Sequence, residues 1–254
     1  TAQDVYELYI TDSLEKQLPV LEGAFSVLIY NNRAKKIIII NDRFTILPIY
    51  LFKDSNRFCF SPNLRYLPDD IYTTEADPTS VVHFLSIGKY PGTHTPLKDV
   101  RLMAPATILT FSLTNSELKQ YTYWTMEYKS EPQTKSQDLL HDLNHAIVQS
   151  TRLYTENERG DFGIFLSGGW DSRSILGATL ALKNPPALAI TNGKSDQLPG
   201  SDTWLAKRIC QDHFISCLFS QRNPNAGQDL WQHGLWFSEI ATENSPGNFG
   251  IHRL

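Results

Sequence analysis

Six residues constrain this chain more than any others: Ser167-Gly168-Gly169-Trp170-Asp171-Ser172, set between the apolar run Phe162 to Leu166 and a helical pattern from Ser172 to Leu182. A buried strand that passes through glycines directly into a helix leaves the first helical N–H groups unpaired at the turn. Those groups, together with the helix dipole, favour an anion. Gly168 and Gly169 let the main chain approach an oxyanion without Cβ obstruction. Ser167 and Ser172 add hydroxyl donors, and Asp171 adds a carboxylate suited to Mg²⁺. The anion this combination suits is a phosphate chain. The Walker A loop is excluded, since no lysine follows a second glycine at the required spacing.

The surrounding rhythm says what kind of sheet holds this turn. A strand pattern over Ala187 to Thr191 and a helical one over Asp202 to Asp212 follow it, and strand-helix-strand-helix at this spacing predicts a parallel sheet with crossover helices. Ahead of it a helix is predicted over about 136–155, with Leu139, Leu143, Ile147 and Val148 inward. The first half of the chain reads differently. Residues 4–18 carry an imperfect helical stripe of Val5, Leu8, Tyr9, Leu14 and Leu18. Three hairpins follow: Ala24 to Tyr30 with Lys36 to Ile40, Ile49 to Phe52 with Arg57 to Phe60, and Thr107 to Leu113 with Leu118 to Trp124. Between the last two, Asp77-Pro78 opens a helix over 78–88 whose apolar face is Val81, Phe84 and Leu85. The reading is therefore α+β and mainly antiparallel over 1–125, a polar linker over 126–135, and α/β over 136–254.

Composition removes several classes of function. Hydrophobic residues make up 41% and charged residues 20%, enough for a packed core. The formal net charge of −4 argues against a chain whose main task is neutralising phosphate backbones, so no nucleic-acid partner is expected. Ile37 to Ile40 is the length of a strand and far short of the ~18–20 apolar residues that cross a bilayer. Cys59, Cys210 and Cys217 fit neither a disulfide framework nor a CxxC zinc pair, and read as reduced thiols of a cytosolic protein. Thr1-Ala2-Gln3-Asp4 opens a polar, helix-like segment rather than a signal peptide.

The strand-SGGWDS-helix element resembles the PP-loop of ATP pyrophosphatases. The text around it resembles the glutamine-hydrolysing asparagine synthetases and the wider asparagine-synthase-related family. Leu21-Glu22-Gly23-Ala24-Phe25-Ser26 is similar to that family's L-x-G-x-F-[AS], and Asn41-Asp42-Arg43-Phe44-Thr45-Ile46-Leu47-Pro48-Ile49-Tyr50 to its R-D-R-F-G-I-K-P-L-Y. Phe60-Ser61-Pro62-Asn63-Leu64-Arg65-Tyr66-Leu67 is similar to F-A-S-E-I-K-A-L, and residues 84–105 parallel its inter-domain segment. The resemblance implies a partial Ntn-type glutaminase domain over 1–125 and a partial PP-loop, adenine-nucleotide α-hydrolase-like synthetase domain over 136–254. The nucleophilic cysteine would lie before Thr1 and a second acidic loop after Leu254. It further implies ATP and Mg²⁺ as cofactors, a small-molecule carboxylate (aspartate first) and glutamine or ammonia as substrates, and a cytoplasmic location; a homodimer stays open. Ser167, Gly168, Gly169, Asp171 and Ser172 would bind pyrophosphate, Asp171 would also hold Mg²⁺ and serve catalysis, and Ile190 and Thr191 would sit near the adenine. Trp170 departs from the family's Leu, Val or Ile, and Arg173 from its Ser. With Thr191-Asn192-Gly193 and Ser201-Asp202, these departures look more like the broad group that includes β-lactam synthetases and lasso-peptide cyclases. A catalytically silent nucleotide-binding relative is a further alternative, and a tRNA-modifying PP-loop enzyme is disfavoured by the missing basic patch.

Other residues carry two readings each. Asp42 and Arg43 read as a structural ion pair at a strand end. His141 and His145 are spaced like a zinc-protease pair but lack the intervening glutamate, so they read as a solvated face. Asp202 is either an N-cap or a neighbour of the nucleotide. Tyr121, Tyr123, Trp231, Trp236 and Phe237 read as core or interface rather than substrate stack. Glu239 and Glu243 face either an acyl substrate or solvent.

Overall fold

The computed structural model describes residues 2–72, 75–128, 136–158 and 160–221, and they fall into two compact units divided after Tyr128. The first unit begins with α1 (Ala2–Ile10), α2 (Leu14–Gln17) and a 3₁₀ turn at Leu18–Val20. The hairpin β1 (Ser26–Asn31) and β2 (Lys36–Asn41) follows, then β3 (Tyr50–Lys53), β4 (Phe58–Ser61) and a 3₁₀ turn at Leu64–Tyr66. The unit continues with α3 (Asp69–Tyr72), α4 (Pro78–Ile87), β5 (Val100–Leu102), β6 (Thr107–Ser112) and β7 (Leu118–Thr122). The strands form two antiparallel sheets, ordered β1-β2-β6-β7 and β4-β3-β5.

The isoleucine run in β2 is explained by what covers it. Ile38 and Ile40 face a cluster with Val5 of α1, Leu18, Val27, Ile29 and Tyr123. Ile39 faces the other way, into Leu51 of the second sheet and Ile49 just before it, with Met103, Leu109 and Phe111. A strand buried on both faces reads as a continuous apolar run instead of an alternation. On its far side the second sheet packs Tyr50, Phe52 and Val100 against Leu64, Leu67 and Ile71. The unit is thus two packed sheets, with α1 and Leu18 on one outer face and the 3₁₀ turn at Leu64–Tyr66, Leu67 and α3 on the other.

One expectation fails here. α4 begins as foreseen, capped by the Asp77 carboxylate accepting the Thr79 N–H at 3.0 Å, yet Leu85 on its supposed inner face is 79% exposed and Val81 also faces solvent. The buried residue is Ser80. A polar anchor replaces the apolar one, because Ser80 Oγ donates to Asp77 Oδ2 at 2.9 Å, beside His94.

The second unit contains α5 (Ser136–Thr155), β8 (Gly163–Phe165), α6 (Trp170–Ala181), β9 (Leu188–Gly193), α7 (Asp202–Asp212) and β10 (Ser216–Gln221). The three strands are parallel in the order β10-β9-β8, with Leu166, Leu176, Ala189, Ala206, Cys210 and Ile215 as core. α5 corrects a second expectation. Leu143 is 57% exposed and Leu139 is exposed too, Ile147 and Val148 are half-buried, and the fully buried positions are Thr151 and Thr155. The C-terminal half of α5 is its packed half, so an apolar stripe over the whole length mislocated the contact. Neither β5 nor β10 was anticipated; β5 is only three residues long, and β10 has Cys and Ser where a strand pattern expects β-branched residues. Among the described residues no helix is long and apolar enough to cross a membrane.

Candidate functional site

In α/β sheets of this kind ligands bind beyond the carboxyl ends of the strands, where β8 and β9 deliver their loops. Leu166 is buried and its N–H donates to the Ile190 carbonyl at 2.8 Å, so the loop after β8 starts rigidly attached to β9. Ser167 and Ser172 close the loop: the Ser167 N–H donates to Ser172 Oγ at 3.1 Å, and the two hydroxyl oxygens are 3.0 Å apart. The Gly169 N–H donates to Ser167 Oγ at 3.2 Å. Gly169 occupies the N-cap of α6 with no side chain to offer. Among the described residues no acceptor is found for the N–H groups of Trp170, Asp171 and Ser172. Asp171 sits exposed in this first turn. The expected loop residues are therefore brought together as an uncapped helix start lined by two hydroxyls and one carboxylate. α6 begins at Trp170, two residues before the expected Ser172.

Packing also demands glycine at 168, since a Cβ there would lie 2.6 Å from Asp202 Oδ1 and 2.8 Å from Leu205 Cδ1. Two site expectations need correction. Asp202 is not the N-cap: Ser201 is, its hydroxyl accepting the Trp204 N–H at 3.2 Å, while Asp202 is the first residue of α7 and lies over Gly168. Ile190 and Thr191 are not at a strand end, because β9 runs on to Gly193; Ile190 is half-buried and Thr191 is buried opposite Phe219. What reaches the carboxyl end is Asn192 and Gly193, and a Cβ on Gly193 would meet Thr203 Cγ2 at 2.5 Å. The loop after β9 is further tied to α7 by Thr203 Oγ1 donating to the Ser195 carbonyl at 2.5 Å and by the Lys207–Asp196 ion pair at 2.6 Å. The lysine's hydrogen bond holds the Asp196 carboxyl below its ordinary range, against some desolvation.

Trp170 and Arg173, flagged separately in the sequence, turn out to be partners. The Arg173 guanidinium lies over the indole, 4.5 Å from the ring centroid, and its Nε donates to the Gly169 carbonyl at 3.2 Å.

In the first unit Asp42 and Arg43 are not an ion pair among the described contacts. Asp42 is buried, and its carboxylate accepts the backbone N–H groups of Phe44, Ile46 and Phe25. Arg43 lies over Trp124, 5.7 Å from its ring. Beside them Asn41 is saturated. It donates to the Ala104 carbonyl at 2.8 Å and to Thr45 Oγ1 at 3.1 Å, and accepts from the Thr107 N–H at 2.8 Å. Thr45 stands at φ 54°, where the family motif has glycine, a backbone region costly for a β-branched residue. Tyr123 is buried and donates to the Asn41 carbonyl at 2.8 Å; burial, with Asp42 nearby, pushes its phenol up to about 12. Tyr121 is half exposed, so of the core and interface readings it does not take the core one.

The Ser80, His94 and Asp77 cluster, which sequence reading missed, is not a hydrolytic triad. Both partners approach the same ring nitrogen, Nδ1, at 3.5 and 3.4 Å, and Ser80 is wholly buried. His141 and His145 are both exposed, as a solvated face requires. Trp231, Trp236, Phe237, Glu239 and Glu243 lie outside the described residues. A cavity of about 610 Å³, lined by Arg152, Thr155, Leu182 and Asn184 among others, sits at the C-terminal ends of α5 and α6, away from the loop.

Comparison with known proteins adds what geometry alone does not. Residues 5–124 match the glutamine amidotransferase domain family. Over 159 residues the chain is 24% identical to putative asparagine synthetase (glutamine-hydrolyzing) 2 of Methanocaldococcus jannaschii, covering 61% of this chain and 30% of that protein. Over 236 residues it is 22% identical to asparagine synthetase (glutamine-hydrolyzing) 2 of Bacillus subtilis, covering 85% of this chain and 31% of that protein. The chain thus spans about three tenths of the length of these relatives.

Proposed function

We propose, from the premise that this chain is an asparagine-synthase-related protein with a glutamine amidotransferase domain over residues 5–124, that it belongs to an ATP-dependent, amide-forming synthetase. A substrate carboxylate, aspartate first among candidates, attacks the α-phosphorus of ATP and expels pyrophosphate. Ammonia released from glutamine then attacks the acyl carbon, AMP leaves with the C–O electrons, and a proton is lost from nitrogen. The observation that carries the reading is the joining of that domain, in one chain, to a strand-SGGWDS-helix turn with an uncapped helix start. The two packed antiparallel sheets of the first unit support an Ntn-type assignment, and the parallel strands of the second support a PP-loop one.

On this reading the open N–H groups of Trp170, Asp171 and Ser172 and the hydroxyls of Ser167 and Ser172 hold the departing pyrophosphate, where charge develops as the P–O bond breaks. Mg²⁺ is generally held by one or two carboxylates plus substrate phosphates, so a single exposed carboxylate at the loop fits it, and Asp171 would be that ligand. Bound there, the ion would neutralise phosphate charge. Pyrophosphate release by the full-length protein, with aspartate and glutamine or ammonia, tests the proposal. Failure to convert ATP to AMP with any carboxylate overturns it, and ATP binding without AMP formation would mark a silent relative.

A second reading is a specialised amide ligase of the β-lactam synthetase or lasso-peptide cyclase type. The stacked Trp170–Arg173 pair, in place of the aliphatic residue and serine of the family, favours it. A panel of carboxylates separates the two: AMP formed with another acid while aspartate stays idle selects the second.

A further inference from the structure

Arg173 breaks a local rule. It lies in the opening turns of α6, where the helix dipole presents partial positive charge and a cation is disfavoured. Two contacts hold it there: Nε donates to the Gly169 carbonyl, and the guanidinium stacks on Trp170. The indole itself is 79% exposed, so this stacking is not a by-product of core packing. Neither contact uses the two Nη groups. Among the described residues no ion pair or hydrogen bond engages them, whereas Lys207, across the same end of the sheet, is committed to Asp196. A guanidinium fixed at one edge and on one face keeps its remaining edge pre-organised, and that edge matches a pair of anionic oxygens in bidentate fashion.

We propose that Arg173, held by Trp170 and the Gly169 carbonyl, is a phosphate-binding residue that contacts the pyrophosphate moiety of the nucleotide at the loop. The inference rests on the nucleotide reading given under the proposed function and adds to it a cation from α6 itself. An anion in the loop relieves the conflict between Arg173 and the helix start, so the residue that destabilises the empty loop strengthens the filled one. Trp170 is then a platform: it orients the fork and does not itself meet the phosphate. The paired departure of both positions from the family pattern follows, since an aliphatic residue at 170 gives a guanidinium nothing to stack on.

Calorimetric titration of the full-length protein tests this, with Mg²⁺-ATP, Mg²⁺-pyrophosphate and adenosine as separate probes. Arg173→Ala is expected to weaken ATP and pyrophosphate about tenfold or more, the usual scale for a lost charge-assisted bidentate contact, with adenosine unchanged. Arg173→Lys should recover only part of the loss, and Trp170→Leu should show an intermediate one; circular dichroism reports whether α6 survives, with Arg173→Gln as the fallback variant. Wild-type binding of pyrophosphate matched by Arg173→Ala overturns this inference and leaves the nucleotide reading standing. An equal loss for adenosine also overturns it, because a structural defect then accounts for the effect. A change confined to the carboxylate substrate, seen as a raised KM with pyrophosphate affinity intact, reassigns the fork to that carboxylate and overturns the phosphate assignment. Wild-type protein that binds none of the probes brings down both.

Discussion

Tyr123 holds its proton for a reason that can be titrated. Its hydroxyl donates to the Asn41 carbonyl from a site only 7% exposed, and burial pushes the phenol up to about 12, against an ordinary value near ~10. A raised acid contributes stability that is full below the unfolded value and is lost as pH climbs through the folded one, here between about 10 and 12 and worth on the order of 2 kcal/mol. Denaturant unfolding at pH 9 and pH 12 should show that loss. Tyr123→Phe should flatten it, while costing about 1 kcal/mol at neutral pH for the missing hydrogen bond. Asp171 makes the opposite case, being exposed and without a structural task in the described contacts. Asp171→Ala should lower pyrophosphate release at least about 100-fold, on the scale of a lost transition-state contact, with a stability loss of no more than about 1 kcal/mol from the missing first-turn carboxylate; retained activity would remove Asp171 from the site. The turn that carries Asp171 was legible because its residues adjoin in sequence as they do in space. The Asn41–Tyr123 bond was not, because it joins positions 82 residues apart and nothing local in either residue announces the other.

Elements were legible where periodicity and burial agree. The hairpin β1–β2, the helix starts at Asp77 and near Asp202, and the strand before and helix after the glycine turn all follow from local pattern and capping chemistry. α5 and α4 were misread because an apolar stripe states what a helix could bury, while its packing partners decide which turns do. α7 offers two checks. Its cap, Ser201, accepts the Trp204 N–H, so Ser201→Ala should destabilise by about 1 kcal/mol and Ser201→Gly by only a few tenths, measured as shifts in denaturation midpoint. Gly168→Ala drives a methyl into Asp202 and Leu205 and should cost about 1–3 kcal/mol as α7 is pushed away. If Gly168→Ala is neutral, the close approach of α7 to the loop is not what demands glycine there.

At the scale of the molecule, the described residues fall into two compact units, antiparallel hairpins in one and a strand-helix alternation in the other, divided after Tyr128. Among the described residues, three buried clusters lie wholly in the first and a fourth wholly in the second. Separate cores predict two calorimetric transitions. Tyr123→Phe should move one of them and Gly168→Ala the other; a single transition moved by both would contradict this. The mutual dependence of α7 and the two strand-end glycines carries a lesson for transplantation. Besides its own hydrogen bonds, the loop Ser167 to Ser172 is fitted against α7, where Asp202 lies over Gly168 and Thr203 over Gly193. Grafting the six residues alone onto another strand-helix junction would move the letters without the mould that shapes them, so the smallest portable piece runs from β8 through the first turn of α7.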